Sequence, residues 1–299
     1  MEAWIYFVLA SQIVWSFCSL IDKFVISKGH IKNPLVYIVL NGLMGIFTIF
    51  LLPFFHFKAI SFANFIAALI SSAAISAAIT LYYKAVQYEE ISRIVMLVQF
   101  IPIFTLILSF FMLGERLSGN DFIGFILLAF AALLVSYHKD KKSFKIGKAF
   151  YLMIASDFLV AVAYISAKQV FLATDAWNGV LWMRSTQFIA VAVLIVPSVR
   201  TDFIKTFRKM PKKIKGLLGF KAFIDFSGFV MSDFAIFLGP VSLVSALSGS
   251  IAPAITFIFA LAASVYLPRF IKEETGKRAV ITKIIAIALI IAGIAFINF

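Results

Sequence analysis

A chain of 299 residues with 63% hydrophobic and only 14% charged side chains is far from a soluble domain, in which roughly 25% of residues are charged. Its formal net charge is +13, with one cysteine (Cys18) and three widely separated histidines, His30, His56 and His138. Internal disulfides are therefore excluded, no metal-ligand spacing occurs, and no phosphate-loop, dinucleotide or zinc-protease motif appears, so no cofactor and no enzyme chemistry are expected.

Ten apolar stretches suit helices of ~20 residues, the length that crosses a hydrocarbon core of ~30 Å. They cover 3–23, 34–55, 62–86, 92–113, 119–137, 147–170, 176–197, 215–238, 241–266 and 277–297. The first begins MEAWIYFVLASQIVWSF, without a basic leader or a small-residue cleavage site, and reads as a retained helix. Asn33-Pro34 opens the second stretch, Gly114-Glu115-Arg116 closes the fourth, and Gly239-Pro240 separates the eighth from the ninth. The expected fold is thus all-α and integral to a membrane.

The two halves repeat. Tyr6, Ala10, Ser11, Lys23 and Asn33 recur about 145 positions on as Tyr151, Ala155, Ser156, Lys168 and Asn178. Ala85 and Ser92 return as Ala235 and Ser242, and Pro102 and Thr105 as Pro253 and Thr256. Five spans per half is an odd number, so the halves lie upside down relative to each other, the arrangement of alternating-access carriers. The expected units are 1–137, a basic linker 138–148, and 149–299, enclosing a central cavity.

Connections after odd-numbered spans hold about 23 Lys and Arg, among them Arg200, Lys205, Arg208, Lys209, Lys212, Lys213 and Lys215; those after even-numbered spans hold about three, Lys58, Arg116 and Lys168. Basic loops stay cytoplasmic, which places both termini outside and fits the plasma membrane. The positive charge is accordingly expected to meet membrane lipids rather than nucleic acid.

Ionisable residues inside apolar spans are costly and mark pathways or structural pairs. Asp157, Arg184, Asp225 and Asp233 are the deepest. Arg184 either grips a substrate carboxylate or phosphate or pairs with Asp157 or Asp225. Lys221 and Asp225 share a helical face four residues apart. Asp233 has no local basic partner, which makes it, with Asp157, a candidate site for a coupling proton. Lys23 and Lys168 either snorkel to headgroups or form cationic gates at opposite mouths. Trp15, Tyr37, Tyr82 and Trp182 lie within spans beside polar residues and are expected to line a pocket, whereas Trp4 and Trp177 suit the interfacial belt. Pro102 and Pro253 are expected to bend their helices, each with a threonine three residues on to bond a freed carbonyl. Gly124 with Ala131, and Ala286 with Gly293, repeat a spacing of seven suited to close helix packing in lipid.

Pro102, then Gly114-Glu115-Arg116-Leu117, then Gly124 and Ala131 resemble the hallmark of EamA-like carriers of the drug/metabolite transporter superfamily. The second half looks like a weathered copy, with Pro253 followed by Tyr266-Leu267-Pro268 where the family's Gly-Glu would fall, and acids only at Glu273 and Glu274. An Arg that the family often carries on the second helix of each repeat corresponds to Arg184 in the second half, against Val39 or Asn41 in the first. The resemblance implies a secondary transporter of small polar metabolites, such as amino acids or organic anions, acting as a monomer or homodimer. A lipid or lipid-linked sugar flippase is the alternative, with a groove open to the bilayer as its discriminating feature.

Overall fold

The computed structural model describes residues 2–27, 31, 33–86, 88, 97–136, 147–266 and 277–298. The regular elements among them are all helical. In chain order the α-helices are α1 (Ala3–Ser27), α2 (Pro34–Leu43), α3 (Phe62–Val86), α4 (Ile101–Leu108), α5 (Gly119–Ser136), α6 (Lys148–Leu172), α7 (Ala176–Thr186), α8 (Pro197–Lys209), α9 (Lys212–Leu238), α10 (Val241–Tyr266) and α11 (Lys277–Asn298). Helices occupy each of the ten expected ranges. Most of the linker 138–148, Glu273 and Glu274, and the side chains of Lys23 and Tyr37 lie outside the described residues.

The segments Ala3–Asp22, Phe62–Ala85, Lys148–Leu172 and Ala176–Ile195 are long and apolar enough to cross a membrane, and the other apolar helices are shorter. Large apolar side chains point outward along them: Phe54, Phe62, Phe111 and Ile195 are each more than three-quarters exposed. Water would penalise such a surface and lipid would not. The chain is a multi-pass membrane protein.

Helix α8 is an addition to the expected spans. It fills most of the connection between the expected spans 176–197 and 215–238, begins with Pro197 at its first position and ends on Arg208 and Lys209, as the helix dipole favours. Val199 on its inner face is buried, and Phe203 packs on a small core of Ile21, Val25, Ile31, Val36, Met210 and Leu218.

Two helices change character midway. α2 tightens into a 3-10 helix over Met44–Phe50, and α7 does so over Gln187–Ile195. These tightened ends pack on each other through glycine. A Cβ on Gly42 would lie 2.9 Å from that of Ala190, and one on Gly45 would lie 2.8 Å from the carbonyl oxygen of Arg184. The fourth span enters α4 through a 3-10 turn, Val98–Phe100, and leaves it through a π turn, Ser109–Leu113.

Pro102 sits in the first turn of α4, where its missing N–H costs nothing. The carbonyl of Val98 accepts from the Ile101 N–H, so the expected rescue by threonine is not needed; Thr105 Oγ1 donates to the Ile101 carbonyl at 2.8 Å instead. Pro253 lies inside the continuous helix α10. The matched prolines thus occupy unlike settings.

Neighbouring helices are joined by short contacts of the kind lipid requires, since no hydrophobic drive acts between helices there. Ser71 Oγ donates to the Ala163 carbonyl at 2.8 Å and Ser156 Oγ to the Ala78 carbonyl at 2.9 Å, fixing α3 antiparallel to α6. Gly124 of α5 faces Gly293 of α11, where a Cβ would come within 2.9 Å of the Gly293 carbonyl oxygen. Ala131 and Ala286 are fully buried in the same core.

The turn from α9 to α10 is closed by three residues from elsewhere in the chain. Lys168, at the end of α6, donates from Nζ to the carbonyls of Ile236, Phe237 and Gly239 at 2.7, 3.1 and 2.9 Å. It therefore caps the C-terminus of α9 rather than snorkelling to headgroups. Glu115 accepts from the N–H groups of Val241 and Ser242 at 2.9 and 3.1 Å, and from the Ser242 hydroxyl. A cation at a helix C-terminus and an anion at the next N-terminus both satisfy orphan backbone groups and oppose the dipole. Gly114 makes this reach available: its left-handed conformation (φ 65°) ends the π turn. Trp4 lies under the turn, with its ring 2.6 Å from where a Gly239 Cβ would be. It is 2% exposed, a core residue rather than part of an interfacial belt.

Candidate functional site

Two adjoining cavities open between the helices. The larger, about 430 Å³, is lined by α1, α2, α3 and α9 and by Phe207 of α8. The smaller, about 380 Å³, is lined by α1, α2, α3, α6, α7 and α9. Asp22, Asn41, Lys221 and Asp225 line both, so they form the partition between two lobes of one space. The cavity therefore draws on residues from both halves of the chain.

Arg184 is at the end of α7, where the helix begins to tighten, and is 6% exposed. Its Nε and Nη2 donate to the two carboxylate oxygens of Asp233 on α9, at 2.9 and 3.1 Å. Its Nη1 donates to Gln187 Oε1 at 2.7 Å, and its guanidinium lies 4.8 Å from the centre of the Phe229 ring. Gln187 Nε2 in turn donates to Asn41, through both its side-chain and its main-chain oxygen. The result is a buried polar chain, Asn41–Gln187–Arg184–Asp233, running from α2 through α7 to α9. A bidentate, charge-assisted pair is the strongest form of such contact. In a buried setting, loss of one partner costs about 3–5 kcal/mol because the other charge is stranded.

A second cluster stands at the partition. Lys221 Nζ donates to Asp225 one turn along α9 and lies 3.3 Å from Asp22 Oδ2 on α1. One cation thus joins two carboxylates and links the two halves. Cys18 and Trp15 lie nearby on α1, both lining the smaller lobe. A Cβ on Gly228 would come 2.8 Å from Trp15 Nε1, so this glycine lets α9 approach α1.

The structure brings Arg184, Asp233, Asp225 and Trp15 to the smaller lobe, and Tyr82 to the larger. It corrects two pairings expected from sequence. Arg184 pairs with Asp233, not with Asp157 or Asp225, and Asp233 consequently has a basic partner after all. Trp182 lines neither lobe; its Nε1 donates to the Lys58 carbonyl at 2.9 Å and its ring packs against Phe57 and Phe65. Asp157 is 1% exposed and lies outside both linings. Trp177 stacks on Phe55, their ring centres 3.8 Å apart. Asp22 and Gln187 are cavity or network residues that sequence reasoning did not single out, and Asn41 figures there only as a first-half counterpart of Arg184. Gln187 carried a usable signal, three residues beyond Arg184 on the same helical face.

The entrance to α3 is tied to the start of α7. Asp175 caps α7 by accepting from the Asn178 N–H at 3.0 Å, and Lys58 lies 3.5 Å from its other oxygen. The Asn178 N–H, with Lys58 adding to it, holds the Asp175 carboxyl below its ordinary value. Among the described residues no group of His, Cys, Asp and Glu is arranged to hold a metal ion.

Comparison with known proteins agrees with this architecture. One solved crystal structure superposes with a TM-score of 0.68 at 14% identity, covering 99% of this chain and 95% of its own. At that identity the likeness shows the fold alone. No curated protein matches the sequence significantly. Residues 2–137, which include Pro102, Gly114, Glu115, Gly124 and Ala131, match the model of the EamA-like transporter family. Through this first half the chain is similar to the EamA-like transporter family, which is consistent with a membrane transporter of the drug/metabolite transporter superfamily.

Proposed function

We propose that the protein is a secondary carrier built from two inverted five-helix repeats, 1–137 and 149–299, that moves small polar metabolites across the plasma membrane by alternating access. The observation that carries this reading is the two-lobed cavity, whose partition is an ion-pair cluster drawn from both halves. With the basic connections in the cytoplasm, the ends of α1 and α3 and the start of α9 lie on the cytoplasmic side, and the larger lobe with them. The α9–α10 turn, held by Lys168, Glu115 and Trp4, lies at the outer end. The structure then corresponds to a state closed outside, with its cavity toward the cytoplasm.

The charges lining the two lobes are three cations, Arg184, Lys215 and Lys221, and three carboxylates, Asp22, Asp225 and Asp233. A formally neutral site that presents both signs of charge between aromatic walls suits a zwitterion of amino-acid type, which carries both. The substrate carboxylate would compete with Asp233 for Arg184, and its ammonium with Lys221 for Asp225.

The test is counterflow into proteoliposomes preloaded with unlabelled solute, using labelled amino acids and labelled organic acids in parallel. Amino acid counterflow should exceed that of protein-free vesicles and fall about tenfold or more in Arg184→Gln, the range of a lost charge-assisted bond. Undiminished counterflow in that variant would remove Arg184 from the substrate site. Scrambling of a fluorescent lipid without solute counterflow would favour the flippase instead.

A further inference from the structure

Of the deep charged residues, Asp157 takes no part in the two ion-pair clusters. Its side chain is 1% exposed and its Oδ2 receives no hydrogen bond. It lies at mid-length on α6, one turn from Met153, which sits in a small apolar cluster with Ala85, Leu97 and Ala149. Seven residues further along the same face is Tyr164, which lines the smaller lobe. Asp157 is thus buried on the cavity-facing stripe of its helix, beyond the cavity's present reach.

Among the described residues, the elements packed on α6 supply no counter-ion. α3 carries Tyr82, Tyr83 and Lys84 at its last turns, of which Lys84 is exposed. α4 with its flanking turns, and the described side chains of α10, bring none that titrates. On α7, Arg184 is committed to Asp233; on α9, Lys221 is committed to Asp22 and Asp225. A carboxylate left ionised and unpaired in such an interior is among the costliest placements a chain can make.

We propose that Asp157 is a proton-binding site: the carboxyl holds a proton while it is dry and releases it to water when movement of α6 extends the cavity to it. The step is a simple exchange with water, which supplies the proton and takes it back, with no other bond made or broken. Its place in a coupled cycle rests on the carrier reading above; proton occupancy of the closed state does not.

The experiment is infrared difference spectroscopy of the full-length protein in lipid nanodiscs, following the carbonyl band of protonated carboxyl groups from about pH 5 to about pH 8. The wild type should retain a protonated-carboxyl band near neutral pH that Asp157→Asn loses and that Asp225→Asn keeps. In Asp157→Glu the band should persist at a shifted position, which keeps the test open if the Asn variant folds poorly. A wild type without the band near neutral pH, or an Asp157→Asn spectrum identical to it, overturns the proposal. A band that behaves as expected in a protein showing no counterflow would leave the proton site standing and count against the carrier reading alone.

Discussion

At the scale of single residues, the most consequential contact is the fork of Arg184 on Asp233. Arg184→Ala strands a buried carboxylate and should destabilise the protein by about 3–5 kcal/mol, read as a drop in melting temperature in nanodiscs. Replacing both partners by apolar residues of similar volume, Arg184→Met with Asp233→Leu, should restore most of that stability without restoring transport. A double variant as unstable as the single one would mean that the pair does more than neutralise its own charges. The depth of these residues was legible in the sequence, because a charge inside an apolar run stands out. Their partners were not: Arg184 and Asp233 are 49 positions apart and meet only because α7 packs on α9. Of the two candidates for a coupling proton, Asp233 and Asp157, only Asp233 acquires a basic partner by this packing.

At the scale of elements, the α9–α10 turn depends on caps supplied from elsewhere in the chain. Glu115→Ala leaves two N–H groups at the start of α10 without their acceptor and should cost about 1–2 kcal/mol. Lys168→Met should destabilise the same turn, and the two effects should fall short of additive because both groups hold one structure. Thermal melts of both single variants and the double variant check this. Gly239→Ala drives a methyl into Trp4 and should cost about 1–3 kcal/mol by overpacking. The start of α7 should respond to acid. The Asp175 carboxyl is held below its ordinary value when folded, so its contribution is present above the unfolded value of about 3.9 and is lost as pH falls through the folded one. Amide exchange at Asn178 should accelerate over that acid range in the wild type and change less in Asp175→Asn. Helix limits were largely legible, since Asn33-Pro34, Gly114 and Gly239-Pro240 do at the backbone what those residues dictate. The 3-10 ends of α2 and α7 were not, because they go with a close approach at Gly42 and Gly45 that lies in the packing and not in local preference.

At the scale of the molecule, helices that hold corresponding places in the two halves of the chain pack on one another. Helices α5 and α11, the last of each half, meet where Gly124 lies against Gly293, and α2 and α7 each tighten at the midpoint and pack on one another. The charges that line the cavity do not follow that correspondence: most lie in the second half, but Asp22 of α1 shares Lys221. In the proposed cycle the cavity opens alternately to the two sides of the membrane. Ser232 lines the smaller lobe and offers a position to test it. With Cys18 replaced by Ser, Ser232→Cys in oriented proteoliposomes should react with a membrane-impermeant thiol reagent added on either side, and a transported amino acid should shift the two rates in opposite directions. Reaction from one side only under every condition would contradict alternating access.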